Sequence, residues 1–323
     1  MKTAFIRFRK TGLAVIALAG CAFAGCWAIG QTEGETVAKN FNLPLPTIGG
    51  AQLWTDLTHR SGFRVQQNAV TGHCRVLDPS NIRRGWGSET DAIALFDELC
   101  PAPPAPAAKP IAVLIHGLMR TDSSMKSLEE KLNEVGYTQV IRFGYASSRS
   151  GLSDSATALR GVLEGQHPDA EFCFAGHSMG NIIMRYLVGD LQREGDPKNI
   201  LPRCRCMVML GPPNQGAAIA RRLGATGVFE WVAGPGAMEL GTRWEDVESK
   251  LATPPFPFAV VAGCLKPAGL QNPLVDGESD FVVSLEEAQL DGAEIVHEVP
   301  VLHSFLMNDP DTQTWTADFL DAH

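Results

Sequence analysis

Residues placed far apart in the chain could together make an alcohol reactive: Ser178, His303, and an acid among Asp276, Glu278 and Asp280. Ser178 lies in Gly176-His-Ser-Met-Gly180, a Gly-x-Ser-x-Gly pentapeptide. A serine hydroxyl is a poor nucleophile until it stands exposed, beside a base and near donors that can hold a developing oxyanion. A tight strand-to-helix turn meets these needs, because it lifts the hydroxyl to the sheet edge and aims the Met179 N–H from a helix N-terminus. The pentapeptide alone is weak, since roughly one chain in ten of this length would contain it by accident. Its weight comes from its setting, between the apolar run Phe172 to Ala175 and a stretch carrying Ile182, Ile183, Tyr186 and Leu187 at helical spacing.

A histidine must reach that hydroxyl and a carboxylate must orient the histidine. Of the eight histidines, His59 and His73 fall in the N-terminal segment. His116 and His177 belong to turns with roles of their own, His167 to a connector, His297 to the last strand and His323 to the terminus. His303 follows the last strand on a loop at its carboxyl end. Asp280 is favoured as the acid because the run Phe281-Val-Val283 after it is expected to pack and so fix its direction; Asp276 and Glu278 are the alternatives.

The elements that must position these groups are legible as alternating apolar runs and amphipathic stretches. Ile111–Ile115 reads as a buried parallel strand. A helix follows it, with Thr121, Asp122 or Ser123 as cap and Met125, Leu128 and Leu132 on its apolar face. Next come a strand near Gln139 to Phe143, a helix near Ser155 to Leu163, and the strand and helix around Ser178. Cys206–Leu210, Phe258–Val261 and Ala293–Val301 read as further strands, with a closing helix from about Asp311 to Leu320. Such alternation predicts an α/β fold, a mostly parallel central sheet with helices on both faces. Ligands of such sheets bind at the carboxyl ends of the strands, where His116-Gly117 and Ser178 both fall.

Five motifs stand in one order: His116-Gly-Leu-Met-Arg-Thr-Asp-Ser-Ser-Met125, Gly176-His-Ser-Met-Gly180, Met209-Leu-Gly-Pro-Pro-Asn-Gln-Gly216, Ser279-Asp-Phe-Val-Val-Ser284 and Val301-Leu-His-Ser-Phe-Leu-Met-Asn308. From about Ile111 to the C-terminus the chain resembles the lipase-like and esterase-like branch of the α/β-hydrolase superfamily. The resemblance implies Ser178 as nucleophile, Asp280 as acid, His303 as base, and the Leu118 and Met179 backbone N–H groups as the oxyanion hole, with Met119 as the alternative to Leu118. Relatives often carry Gly after the acid, where this chain has Phe281. It also implies a cap or lid over residues 217–256, whose Val228-Phe-Glu-Trp231-Val232 and Trp244 either line an acyl pocket or pack on the sheet. Gly211 to Gly216 is expected to shape a turn.

Before this domain, residues 31–100 form a polar, turn-rich N-terminal extension with one hairpin expected from Phe63–Gln67 and His73–Leu77. Trp54, Trp86 and Phe96 are expected to pack it onto the main body. Residues 101–110, rich in Pro and Ala, read as a linker, and 111–323 as the hydrolase-like domain. Residues 1–30 read as an export signal: Lys2, Arg7, Arg9 and Lys10, then an apolar run from Leu13 to Ala19. Leu18-Ala19-Gly20-Cys21 resembles the lipobox of bacterial lipoproteins, which implies acylation of Cys21; an uncleaved anchor helix and a later cleavage near Gly25-Cys26 compete with it. The expected location is the cell envelope, membrane-anchored, or else periplasmic or secreted.

Export permits disulfides among the eight cysteines, with Cys74 and Cys100 the best candidate pair and Cys173 a buried thiol. No Cys and His spacing suggests a metal site, and no cofactor is implied. A net charge of −9 without basic blocks beyond the N-terminus speaks against nucleic acid. The sequence thus points to an exported serine hydrolase of esters or lipids acting through an acyl-enzyme. An acyltransferase or thioesterase using the same residues, and a non-catalytic envelope protein that keeps the fold, are the alternatives; oligomeric state is not encoded legibly.

Overall fold

The computed structural model describes residues 45–46, 51–224, 234–266 and 269–323. The expected signal segment with Cys21, and Phe229 and Trp231 of the expected cap, lie outside the described residues. No helix among the described residues is long and apolar enough to cross a membrane.

Two sheets carry the chain. The first is antiparallel, in the order β1-β5-β4-β3-β2, from β1 (Leu45–Pro46), β2 (Trp54–Arg60), β3 (Phe63–Asn68), β4 (Cys74–Leu77) and β5 (Ile82–Gly87). The hairpin expected at residues 63–77 is β3 and β4, but it is the centre of a complete sheet. Helix α1 (Glu89–Leu99) covers one face, opened by a capping box between Ser88 and Asp91. Phe96 and Ala92 from that helix meet Val65, Cys74 and Val76 in a small core of their own.

The expectation that Trp54, Trp86 and Phe96 dock the extension is therefore corrected. Phe96 serves the internal core, Trp54 packs on His73 and under the Arg75 guanidinium, and Trp86 is 42% exposed. An antiparallel sheet needs one covered face, and α1 supplies the cover. The docking includes polar contacts from Gln52, Thr55, Asp56, Arg64 and the β2 backbone. The expected Cys74–Cys100 bridge is also absent, both being buried free thiols. Cys173 is a buried free thiol as expected, with Cys206 Sγ 3.0 Å away on the neighbouring strand.

The second sheet is parallel throughout, in the order β11-β10-β9-β8-β6-β7. Its strands are β6 (Ile111–Ile115), β7 (Val140–Phe143), β8 (Phe172–His177), β9 (Cys204–Leu210), β10 (Phe258–Gly263) and β11 (Ile295–Val299). Because side chains alternate along a strand, Ile111, Val113, Phe172 and Phe174 enter one core and Ala112, Leu114, Cys173 and Ala175 the other. Helices α3 (Leu152–Glu164) and α4 (Met179–Glu194) close the first face, and α2 (Lys126–Glu134) and the last helix, Pro310–Ala322, close the second. Met125, Leu128 and Leu132 are fully buried, as their spacing predicts. Between Pro101 and Pro110 no residue is helix or strand.

Candidate active site

The carboxyl ends of β6, β8, β9, β10 and β11 converge on Ser178. The residue sits between β8 and α4 at φ 52° and ψ −122°, a backbone conformation that a side chain with a Cβ adopts only when its surroundings hold it there. Those surroundings are visible. Ser178 N–H donates to Leu210 O at 2.8 Å, and the buried Asn181 side chain donates to Ser178 O at 3.1 Å and Leu210 O at 3.3 Å. A Cβ on Gly180 would lie 2.4 Å from Ile115 O and 2.7 Å from His116 O, so only glycine lets α4 start this close to β6. The Ser178 hydroxyl does not cap its own helix and is half-buried.

His303 begins a 3-10 turn, His303–Asn308, beyond β11. Its Nδ1 lies 2.6 Å from Asp280 Oδ2, and its backbone N–H donates to Asp280 O at 2.9 Å. An ionised carboxylate only accepts, so Nδ1 carries the hydrogen and Nε2 is left as the basic nitrogen. Asp280 Oδ1 in turn accepts from the N–H groups of Val282 at 2.9 Å and Val283 at 2.7 Å. The direction of the acid is thus set by backbone donors. The expected packed run is only partly so: Val283 is buried, whereas Phe281 is 37% exposed and stands at φ 84°, the conformation for which the glycine of relatives is suited.

The competing acids face elsewhere. Asp276 pairs with Arg222, and Glu278 pairs with Lys266. Gly211, at φ 53° beyond β9, supports the pair from beneath: a Cβ there would lie 3.0 Å from His303 Nδ1 and 3.1 Å from Asp280 Oδ2. The Gly211 to Gly216 stretch is a brace as well as a turn, since Asn214 accepts from Arg185 of α4 and donates to Ala288 O.

His177, which its place in the pentapeptide did not mark out, joins the halves. Its ring lies 4.8 Å from that of His303, and its Nε2 is 2.9 Å from His303 O. Burial holds its pKa well below the ordinary imidazole value, with the neighbouring His303 adding to the effect. It is therefore a neutral donor to that carbonyl. His177 thus ties the Ser178 elbow to the His303 turn, and no hydrogen bond joins the Ser178 hydroxyl to the His303 ring; such bonds are often loose before substrate arrives.

The expected oxyanion donors sit on the two flanks of Ser178. Gly117 packs so closely that a Cβ would lie 3.0 Å from Ser178 Cβ and 2.8 Å from His177 Nδ1. Leu118 and Met119 follow in a turn closed by Arg120 N–H to Gly117 O, with Met119 at φ 56°. Among the described residues the Leu118 and Met179 N–H groups have no hydrogen-bond partner, so both are free to donate.

The described part of the segment expected to form a cap comprises helices α5 (Ala218–Gly224), α6 (Pro235–Leu240) and α7 (Trp244–Glu248). A Cβ on Gly236 would lie 2.9 Å from Met179 Sδ, which places α6 over the elbow. Trp244 is buried and packs into the core, so packing is its role. Among the described residues no cluster of His, Cys, Asp and Glu could hold a metal ion. A short helix, α8 (Leu285–Ala288), follows the acid loop and precedes β11; the last helix, Pro310–Ala322, is α9.

No protein-family model matches the sequence, and no curated protein matches it significantly. Among solved structures, the mature form of the Bacillus licheniformis lipase BlEst2 aligns over 68% of this chain and 95% of its own, with TM-score 0.54 at 18% identity. The propeptide form of that lipase aligns over 68% of this chain and 52% of its own, with TM-score 0.51 at 18% identity; this chain therefore spans about half of that longer form. At such identity the likeness bears on architecture, and it agrees with the six-stranded parallel sheet and the strand, elbow and helix around Ser178: the chain has the α/β-hydrolase fold.

Proposed function

We propose that the protein is an exported serine hydrolase of carboxylic esters. The observation that carries this reading is the His303 Nδ1 to Asp280 Oδ2 hydrogen bond of 2.6 Å, beside His177, whose chain neighbour Ser178 is held in a strained elbow. In the reaction His303 Nε2 takes the Ser178 proton as the hydroxyl attacks the ester carbonyl. The Leu118 and Met179 N–H groups hold the resulting oxyanion, and the imidazolium returns its proton to the departing alcohol. Water, activated by the same nitrogen, then releases the acid from the acyl-enzyme.

Exposed apolar side chains beside the machinery support a substrate with an apolar acyl group. Met119 is 48% exposed, Phe305 55%, Leu302 37% and Phe281 37%, each within two residues of Leu118, His303 or Asp280. Localisation to the cell envelope through a lipid on Cys21 belongs to the same proposal and rests on the sequence of residues 18–21.

A fluorophosphonate probe and a panel of esters of graded acyl length test the activity. Wild type is expected to label and Ser178→Ala not to label; a folded wild type that neither labels nor turns over any ester would favour the non-catalytic alternative. Mass measurement of the membrane fraction with and without Cys21→Ala tests the anchor.

A further inference from the structure

The N-terminal sheet touches the oxyanion turn by two separate routes. In the first, Gln52 Nε2, from the residue pair preceding β2, donates to Met119 O at 2.8 Å. Met119 occupies the left-handed region at φ 56°, a conformation costing a residue with a Cβ on the order of 1–2 kcal/mol, so the turn keeps its shape only if neighbours hold it. The second route runs through the core. Asp56 of β2 exchanges two hydrogen bonds with Gly144 at the end of β7: Gly144 N–H to Asp56 Oδ2 at 2.7 Å and Asp56 N–H to Gly144 O at 2.8 Å. Thr55 Oγ1 accepts from Ala146 N–H at 3.1 Å.

Tyr145, clamped between them, stacks on His116 with ring centroids 4.2 Å apart. It donates its hydroxyl to His116 O at 2.8 Å and its N–H to His116 Nε2 at 3.4 Å. Since Nε2 accepts, His116 Nδ1 carries the hydrogen and donates to Gly117 O at 2.9 Å. Gly117 O is the acceptor that closes the oxyanion turn. The chain of contacts from Asp56 to the turn is thus continuous.

We infer that the N-terminal sheet is a working part of the active site, with Gln52 and Asp56 as positioning residues that hold the Gly117–Arg120 turn, and so the Leu118 N–H, where the oxyanion forms. This rests on the hydrolase reading above. Neither residue touches substrate; each acts through the turn. Loss of one oxyanion donor costs about 10²–10³ in kcat, and a donor shifted without being lost is expected to cost part of that, roughly tenfold.

Steady-state kinetics of the full chain on a p-nitrophenyl ester, with melting temperatures alongside, test it. Gln52 is half-buried at the edge of the extension, and Gln52→Ala is expected to lower kcat roughly tenfold at unchanged KM and unchanged melting temperature. Asp56→Ala is expected to lower kcat further, while Asp56→Asn, which keeps an acceptor for the Gly144 N–H, recovers most of it. Wild-type turnover with kcat unchanged in Gln52→Ala and in folded Asp56→Ala would overturn the inference and leave the hydrolase reading standing. Absence of turnover in wild type itself would overturn both.

Discussion

Asp280 and His303 show how much of the candidate site is decided by single atoms. Both oxygens of Asp280 are used, Oδ2 by His303 and Oδ1 by two backbone N–H groups. Asp280→Asn keeps the shape but can turn its amide toward Nδ1, which puts the imidazole hydrogen on the wrong nitrogen. A loss of kcat of about 10³–10⁴ is expected in ester hydrolysis, with KM little changed and with the fold intact by circular dichroism. Phe281 is the contrasting case, a large side chain held at φ 84° and exposed. Phe281→Gly trades a strained backbone for a more flexible unfolded chain and removes a partly exposed ring. A net gain of up to about 1 kcal/mol is expected from denaturant melts, and a loss would mean that the ring packs on the rim more firmly than its exposure suggests.

At the scale of elements, the site exists because strand ends meet loops with almost no space between them. Gly263 ends β10, and a Cβ there would lie 2.4 Å from Val301 O and 2.5 Å from Asp280 Cβ. The β10 end therefore sets the separation of the acid loop from the segment that leads to His303. Gly263→Ala is expected to push Asp280 off the imidazole and reduce kcat by at least about tenfold, while fluorophosphonate labelling of Ser178 slows in proportion. If labelling keeps its wild-type rate, β10 does not set the acid's position. The α4 elbow is governed by the same economy, through Gly180 against the β6 carbonyls.

For the whole molecule, the junction between the two sheets is polar and buried, and this makes stability depend on pH in a directed way. Burial raises the Asp56 pKa, but His59, Arg64 and the Gln66 amide outweigh it and leave the value at about 2. Its native carboxylate is favoured relative to an unfolded value of 3.8, so its contribution is complete above that value and lost as pH falls toward 2. It is on the order of 2 kcal/mol. His116 loses its contribution earlier. Burial lowers its pKa to about 4, so between pH 6.5 and 4 the unfolded chain binds a proton that the native chain does not, costing on the order of 3 kcal/mol by pH 4. His177, also depressed by burial, acts in the same sense. Denaturant midpoints recorded from pH 7 downward are expected to fall first through the histidine window and then through the Asp56 window. In Asp56→Asn the second fall should be reduced, and an identical profile would show that the junction does not carry that proton linkage.

Local pattern in the chain was enough to read the succession of parallel strands and helices, the turn at Ser178, and the position of His303 after the last strand. Each of these is written in local pattern: apolar runs of strand length, helical spacing after the pentapeptide, turn residues between. It also separated Asp280 from its neighbours, though for a reason that proved incomplete, because backbone N–H groups of Val282 and Val283 aim the carboxylate and no side-chain pattern reports them. Three features emerged with the folded arrangement alone: the N-terminal segment forms a five-stranded sheet with its own core and a polar junction, Cys74 and Cys100 are free thiols, and His177 and Asn181 brace the two loops. These depend on contacts between residues tens of positions apart, where a buried Asp or His gains its meaning from the partner opposite it, and one-dimensional periodicity carries no record of which partner that is.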